Sequence, residues 1–145
     1  MANLEPLIQS IPVAPLKLAS LEGCRTLADQ VNNYLVSFRH ESPTNVGQAD
    51  SLQGYCADSY LLECECPRFG SGEGKGVLKE SVRGCDLFIM VDVTNYSLTY
   101  RVNGYENHMS PDNHYQDLKR IISAADGKAR RINVIMPFLY EGRQH

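Results

Sequence analysis

Leu87-Phe88-Ile89-Met90-Val91 is an unbroken apolar run, bounded by Asp86 before it and Asp92 after it. A strand with one face in water alternates apolar and polar residues, whereas a parallel strand covered by helices on both faces is apolar throughout. The run therefore predicts a buried parallel strand. It is far short of the roughly 20 apolar residues that cross a bilayer, so no membrane role is expected.

Toward the N-terminus, Ser81-Val82-Arg83-Gly84-Cys85-Asp86 turns the chain into that strand. Before it, Tyr60-Leu61-Leu62-Glu63-Cys64-Glu65-Cys66 reads as a strand and Val77-Leu78-Lys79-Glu80 as its return. The connection, Arg68-Phe69-Gly70-Ser71-Gly72-Glu73-Gly74-Lys75-Gly76, holds glycine at every second position from Gly70 and marks a hairpin tip. Residues 39 to 58 are rich in Ser, Pro, Thr, Asn, Gly and Asp, longer than most compact connections, and read as an inserted loop. Leu16-Lys17-Leu18-Ala19-Ser20-Leu21 alternates as a first strand. Gly23 then turns the chain, and Cys24, Leu27, Ala28, Val31, Leu35 and Phe38 recur at helical spacing. Residues 1 to 15, punctuated by Pro6, Pro12 and Pro15, form an arm expected to pack on the surface or on a partner.

Toward the C-terminus, residues 94 to 110 are loop-like and rich in Asn, Tyr and Gly. A helix then has a clear start: Ser110 can cap it, Pro111 suits the first turn, and Asp112 puts negative charge at the positive end of the dipole. Tyr115, Leu118, Ile122 and Ala125 make its buried stripe, and Gly127 suits its end. A last strand runs from Ile132 to Phe138. The order β-α-β-β-β-α-β predicts an α/β domain over residues 16 to 145, with a mostly parallel sheet flanked by helices and a projecting β-hairpin.

The chain has 145 residues, 43% hydrophobic and 21% charged, as expected of one globular domain. Fourteen Lys and Arg against seventeen Asp and Glu give a net charge of -3, which argues against a broad nucleic-acid footprint. The start Met1-Ala2-Asn3-Leu4-Glu5 lacks the basic region of a signal peptide. Five cysteines, an odd number without a CxxC pair, fit reduced thiols, so a cytoplasmic setting is expected. Cys64 and Cys66 share one strand face, where a soft metal is conceivable but two small buried side chains are the default. His40, His108 and His114 share no ligand spacing with them.

The glycine-rich segment lacks the GxxxxGK[ST] order of a phosphate loop. It does place Phe69 four residues before Glu73 on a tip, a pair able to stack on a base and accept from its exocyclic amine. The plain alternative is a solvated tip with Phe69 tucked into the core. At the end of the last strand, Arg143 offers a planar cation suited to phosphate and Gln144 a paired donor and acceptor, where open α/β sheets bind ligands. A polar pair at a chain end is otherwise simply exposed. Asp92 reads as a loop-facing carboxylate. The chain stops just past Arg143, at His145, so it is expected to be one piece of a longer protein.

Four segments together resemble, in order, the N-terminal domain of ribose-phosphate pyrophosphokinase (phosphoribosyl pyrophosphate synthetase). They are Leu16-Lys17-Leu18 with its helix, Arg68 to Glu73, Glu80-Ser81-Val82-Arg83-Gly84-Cys85-Asp86-Leu87-Phe88-Ile89, and Ala129 to Phe138 followed by Gly142-Arg143-Gln144. The resemblance implies a phosphoribosyltransferase-like domain, the first of two, in an enzyme that moves the pyrophosphoryl group of ATP to ribose 5-phosphate with Mg2+. It implies that Phe69, Ser71, Gly72 and Glu73 hold adenine in a neighbouring subunit's site and that Arg143 and Gln144 contact ATP from within the subunit. It also implies homo-oligomers, with catalytic residues and metal ligands in the second domain rather than here. This chain carries Ser71 and His145 where the family usually has aspartate. A non-catalytic regulatory or assembly homologue is the alternative that those two positions motivate.

Overall fold

A computed structural model describes residues 12–41 and 54–143 of the chain. Its centre is a four-stranded, all-parallel sheet. Strand β1 (Leu16–Ser20) pairs with β2 (Leu61–Leu62) on one side and with β5 (Asp86–Met90) on the other, and β5 pairs in turn with β8 (Arg131–Ile135). The spatial order is β2-β1-β5-β8. The apolar run from Leu87 thus occupies an interior strand, and Leu87, Ile89 and Val91 are all fully buried.

Neighbouring residues on these strands point to opposite faces, and the two faces have different covers. Leu18 and Met90 pack with Cys24, Ala28 and Val31 of the segment leading into and along helix α1 (Arg25–Glu41). Ala19, Leu87 and Ile89 pack with Leu118, Ile121 and Ala125 from and just after helix α2 (Pro111–Ala124). The start of α2 is built as its sequence predicts: the Ser110 hydroxyl accepts from the Asn113 N–H at 3.2 Å, with Pro111 in the first turn.

A first hairpin joins β3 (Cys64–Glu65) to β4 (Val77–Leu78). The strand read over 60 to 66 is therefore two short pieces, because Leu61 and Leu62 belong to the parallel sheet and Cys64 and Glu65 to this antiparallel ladder. The strand read over 132 to 138 runs from Arg131 and ends at Ile135. Pro137 has no N–H to continue the ladder. The loop-like reading of residues 94 to 110 is corrected more substantially. They contain a second hairpin, β6 (Thr99–Val102) with β7 (Tyr105–His108), joined by Asn103 and Gly104 at φ of 52° and 81°. Positive φ at both central residues is the type I′ turn that matches strand twist, and Asn-Gly is its preferred pair.

Of the loop read over 39 to 58, residues 39–41 close α1, 54–58 form turns, and 42–53 lie outside the described residues. The arm is described only from Pro12 onward. No helix among the described residues is long and apolar enough to cross a membrane.

Candidate functional site

The strand order reverses between β1 and β5, since β1 leads outward to β2 and β5 leads the other way to β8; ligands of open α/β sheets favour this switch point. Here it is closed. A Cβ on Gly23 would stand 3.4 Å from the Asn95 side chain, and Asp92 is used locally, accepting from the Thr94 N–H at 2.9 Å and the Thr94 hydroxyl at 2.7 Å. Asp92 is thus the loop-facing carboxylate expected of it.

The first hairpin keeps one register from stem to tip. Cys64 opposes Leu78, Glu65 opposes Val77, Arg68 bridges Gly74, and the Phe69 N–H donates to the Glu73 carbonyl at 2.8 Å. The loop itself is Gly70-Ser71-Gly72, closed by the Gly72 N–H on the Phe69 carbonyl at 2.9 Å with Gly72 at φ +88°. That is a turn followed by a left-handed residue, a conformation glycine adopts without strain. The Ser71 hydroxyl accepts weakly from the Glu73 N–H at 3.4 Å. Phe69 is 53% exposed, so it is presented on the tip and not tucked into the core.

Just behind the tip the hairpin is pinned. Arg68 donates from both terminal nitrogens to the two oxygens of Asp117 on α2, at 2.7 and 2.8 Å, with both side chains only 5% exposed. Arg120 donates to the same carboxylate at 2.6 Å, and the Arg68 guanidinium sits 5.1 Å from the centre of the Tyr100 ring on β6. The hydrogen-bonded carboxylate holds the Arg68 guanidinium above its ordinary value, so it is a fixed cation. This anchor was not legible in the sequence, because its partners lie 49 residues apart.

Beyond β8 the chain turns back on α2. Tyr140 packs against Tyr115 and its hydroxyl donates to Asp112, which pushes the Tyr140 phenol up to about 12. Arg143 follows this turn and is exposed; Gln144 and His145 lie outside the described residues. Among the described residues no hydrogen bond or ion pair joins the hairpin tip to Arg143.

Cys64 and Cys66 do share a face, toward α2. Loss of hydration on burial pushes Cys24 and Cys64 up to about 11 and Cys66 up to about 12. Cys64 and Cys66 are protonated donors, to the Ser20 carbonyl at 3.2 Å and the Asp117 carbonyl at 3.7 Å. Among the described residues no group of three or more His, Cys, Asp or Glu stands together to hold a metal ion. The raised thiols carry a pH signature. Unfolded thiols ionise near 9.0 while these stay protonated, so the folded state binds more protons and loses stability as pH rises from about 9 to about 11. Urea midpoints should be level up to about pH 8.5 and fall above it; a flat profile through about pH 11 would mean that the thiols are solvated.

A parallel sheet covered by one crossover helix on each face, with a glycine-tipped hairpin locked to the second helix, defines an α/β domain of the phosphoribosyltransferase-like type. The family model for the N-terminal domain of ribose phosphate pyrophosphokinase matches residues 16–145, and the chain belongs to that family of kinase-type transferases. No curated protein matches the chain closely enough to count as a relative.

Proposed function

We propose that this domain holds the nucleotide base and part of the triphosphate for a ribose-phosphate diphosphokinase that makes phosphoribosyl pyrophosphate for nucleotide biosynthesis. In that reaction the 1-hydroxyl oxygen of ribose 5-phosphate bonds to the β-phosphorus of ATP. The bond from that phosphorus to the oxygen bridging toward the α-phosphorus breaks, and AMP leaves with the oxygen.

Phe69 stacks on adenine and Glu73 accepts from its exocyclic amine, while the absence of a side chain at Gly72 lets the backbone approach. Arg143 pairs with phosphate oxygens and Gln144 hydrogen-bonds beside it. The reading rests above all on one observation: an exposed tip that presents Phe69 and Glu73 in a fixed register, within a chain whose family match runs over residues 16–145. As membership of the family suggests, one subunit's tip serves a neighbour's Arg143, and the protein works as a homo-oligomer. In line with the family, the Mg2+ ion enters with the triphosphate, and a second domain carries its ligands and the catalytic groups. Its five free thiols suit the cytoplasm.

Calorimetric titration with ATP tests this reading. Phe69→Ala should weaken ATP binding at least about tenfold, since a base stacked on an aromatic ring loses about 1–3 kcal/mol on alanine substitution. Mixed with ATP and ribose 5-phosphate, the chain alone should release no AMP. Turnover would overturn the division of the site between domains, and equal binding by both proteins would remove Phe69 from it. A chain that binds no ATP fits the regulatory or assembly module instead, for which Ser71 in place of aspartate is the motive.

A further inference from the structure

The second hairpin leans on the tip of the first. Asn103 Oδ1 lies 3.7 Å from where a Cβ on Gly70 would stand, and the Tyr100 ring lies beneath the Arg68 guanidinium. Between the two hairpins runs a groove of about 340 Å³, lined by Gly72, Tyr100, Val102, Asn103, Tyr105 and Asn107. Small-molecule sites begin at about this size.

The lining follows from register. Tyr100 opposes Asn107 and Val102 opposes Tyr105, so these four side chains share one face of the ribbon, and that face is turned to the tip. From the first hairpin only Gly72 enters the lining, and a Cβ there would meet nothing within 4 Å, so that side of the groove is open backbone. Tyr105 is 76% exposed and contributes little to the core. Asn107 uses its amide nitrogen on the Tyr105 carbonyl at 3.3 Å, and its oxygen has no partner among the described residues. The groove therefore offers two aromatic rings, an apolar floor and one unused acceptor beside the residues assigned to the base.

We propose that the β6–β7 hairpin is the second wall of the base site, with Tyr100 and Tyr105 covering the purine and Asn107 Oδ1 accepting from the exocyclic amine of adenine. The proposal rests on the reading that Phe69 and Glu73 hold the base. It favours adenine over guanine, which presents a carbonyl oxygen at the corresponding position and would set acceptor against acceptor.

The test is a titration of the 15N-labelled 145-residue chain, followed by NMR, with ATP, GTP and inorganic tripolyphosphate in turn. ATP should shift the Asn107 side-chain amide and the Tyr105 and Asn103 signals together with those of Phe69 to Glu73, and tripolyphosphate should not. Tyr105→Ala and Asn107→Ala should each weaken ATP about tenfold, the scale of a lost stacking or buried polar contact. If ATP moves only the Phe69 to Glu73 signals and Phe69→Ala alone loses affinity, the second wall is overturned and the ATP reading stands. If ATP moves neither hairpin, both fall.

Discussion

Asp117→Ala should destabilise the domain by about 3–5 kcal/mol, because it strands a buried cation. Asp117 accepts two hydrogen bonds from Arg68 and one from Arg120, and the Arg68 side chain is 5% exposed. Without the carboxylate, Arg68 keeps only the Cys66 carbonyl at 3.2 Å and the Tyr100 ring. Neither carries a negative charge, so the desolvation that the pair had offset is left uncompensated. Against a whole-domain stability of about 5–15 kcal/mol this is a large fraction, and it corresponds to a melting temperature lower by about 10 °C or more.

Two companion variants separate the charge from its geometry. Asp117→Asn retains acceptor and donor positions and should fall between wild type and Asp117→Ala. Arg68→Met combined with Asp117→Leu removes both charges together and should recover most of the loss, since replacing a whole buried pair by apolar groups is far cheaper than breaking it. A loss below about 1 kcal/mol for Asp117→Ala would mean that the pair behaves as a solvated surface bridge. Arg68 directly precedes Phe69, so the same variant should also loosen the tip and lower ATP affinity.

The sequence carries its signal wherever structure is decided locally. The apolar run from Leu87 identifies an interior parallel strand because burial on both faces removes alternation. Ser110, Pro111 and Asp112 locate the start of α2 because capping acts within one turn. The hairpin tip is legible from its glycines, and the resemblance places Phe69 and Glu73 there. The β6–β7 hairpin is not legible from periodicity, because three of the four β7 residues are exposed and neither face is buried enough to impose a pattern. Its one strong signal, Asn103-Gly104, is a pair in a stretch otherwise rich in loop residues. The pairing of Arg68 with Asp117 leaves no local trace at all, since nothing in the residues around either one specifies a partner 49 positions away. Half of the groove beside the tip was missed for the first reason and the anchor behind it for the second.

The other large effect belongs to Gly76, where the return limb of the first hairpin lies flush on α2. A Cβ there would overlap the carbonyl carbon and oxygen of Arg120 and stand 2.9 Å from the Ile121 nitrogen. These are helix backbone atoms, which cannot swing aside as a side chain can, so Gly76→Ala is accommodated only by lifting β4 off α2. Lifting it opens the contact of Leu78 with the core that Ile121 and Ala125 fill. The expected loss is about 3 kcal/mol or more, at the top of the range for overpacking. Gly84→Ala is the matched control, because its Cβ would meet nothing within 4 Å and only its φ of +71° opposes the change, at about 1–2 kcal/mol. Gly74→Ala should be costly as well, since its Cβ would push on the guanidinium ends of Arg68 and Arg120 that Asp117 holds in place. Chemical denaturation of the three variants gives the order directly: if Gly76→Ala costs no more than Gly84→Ala, the hairpin does not lie flush on the helix, and the clamp that presents Phe69 and Glu73 would have to rest on the Arg68–Asp117 pair alone.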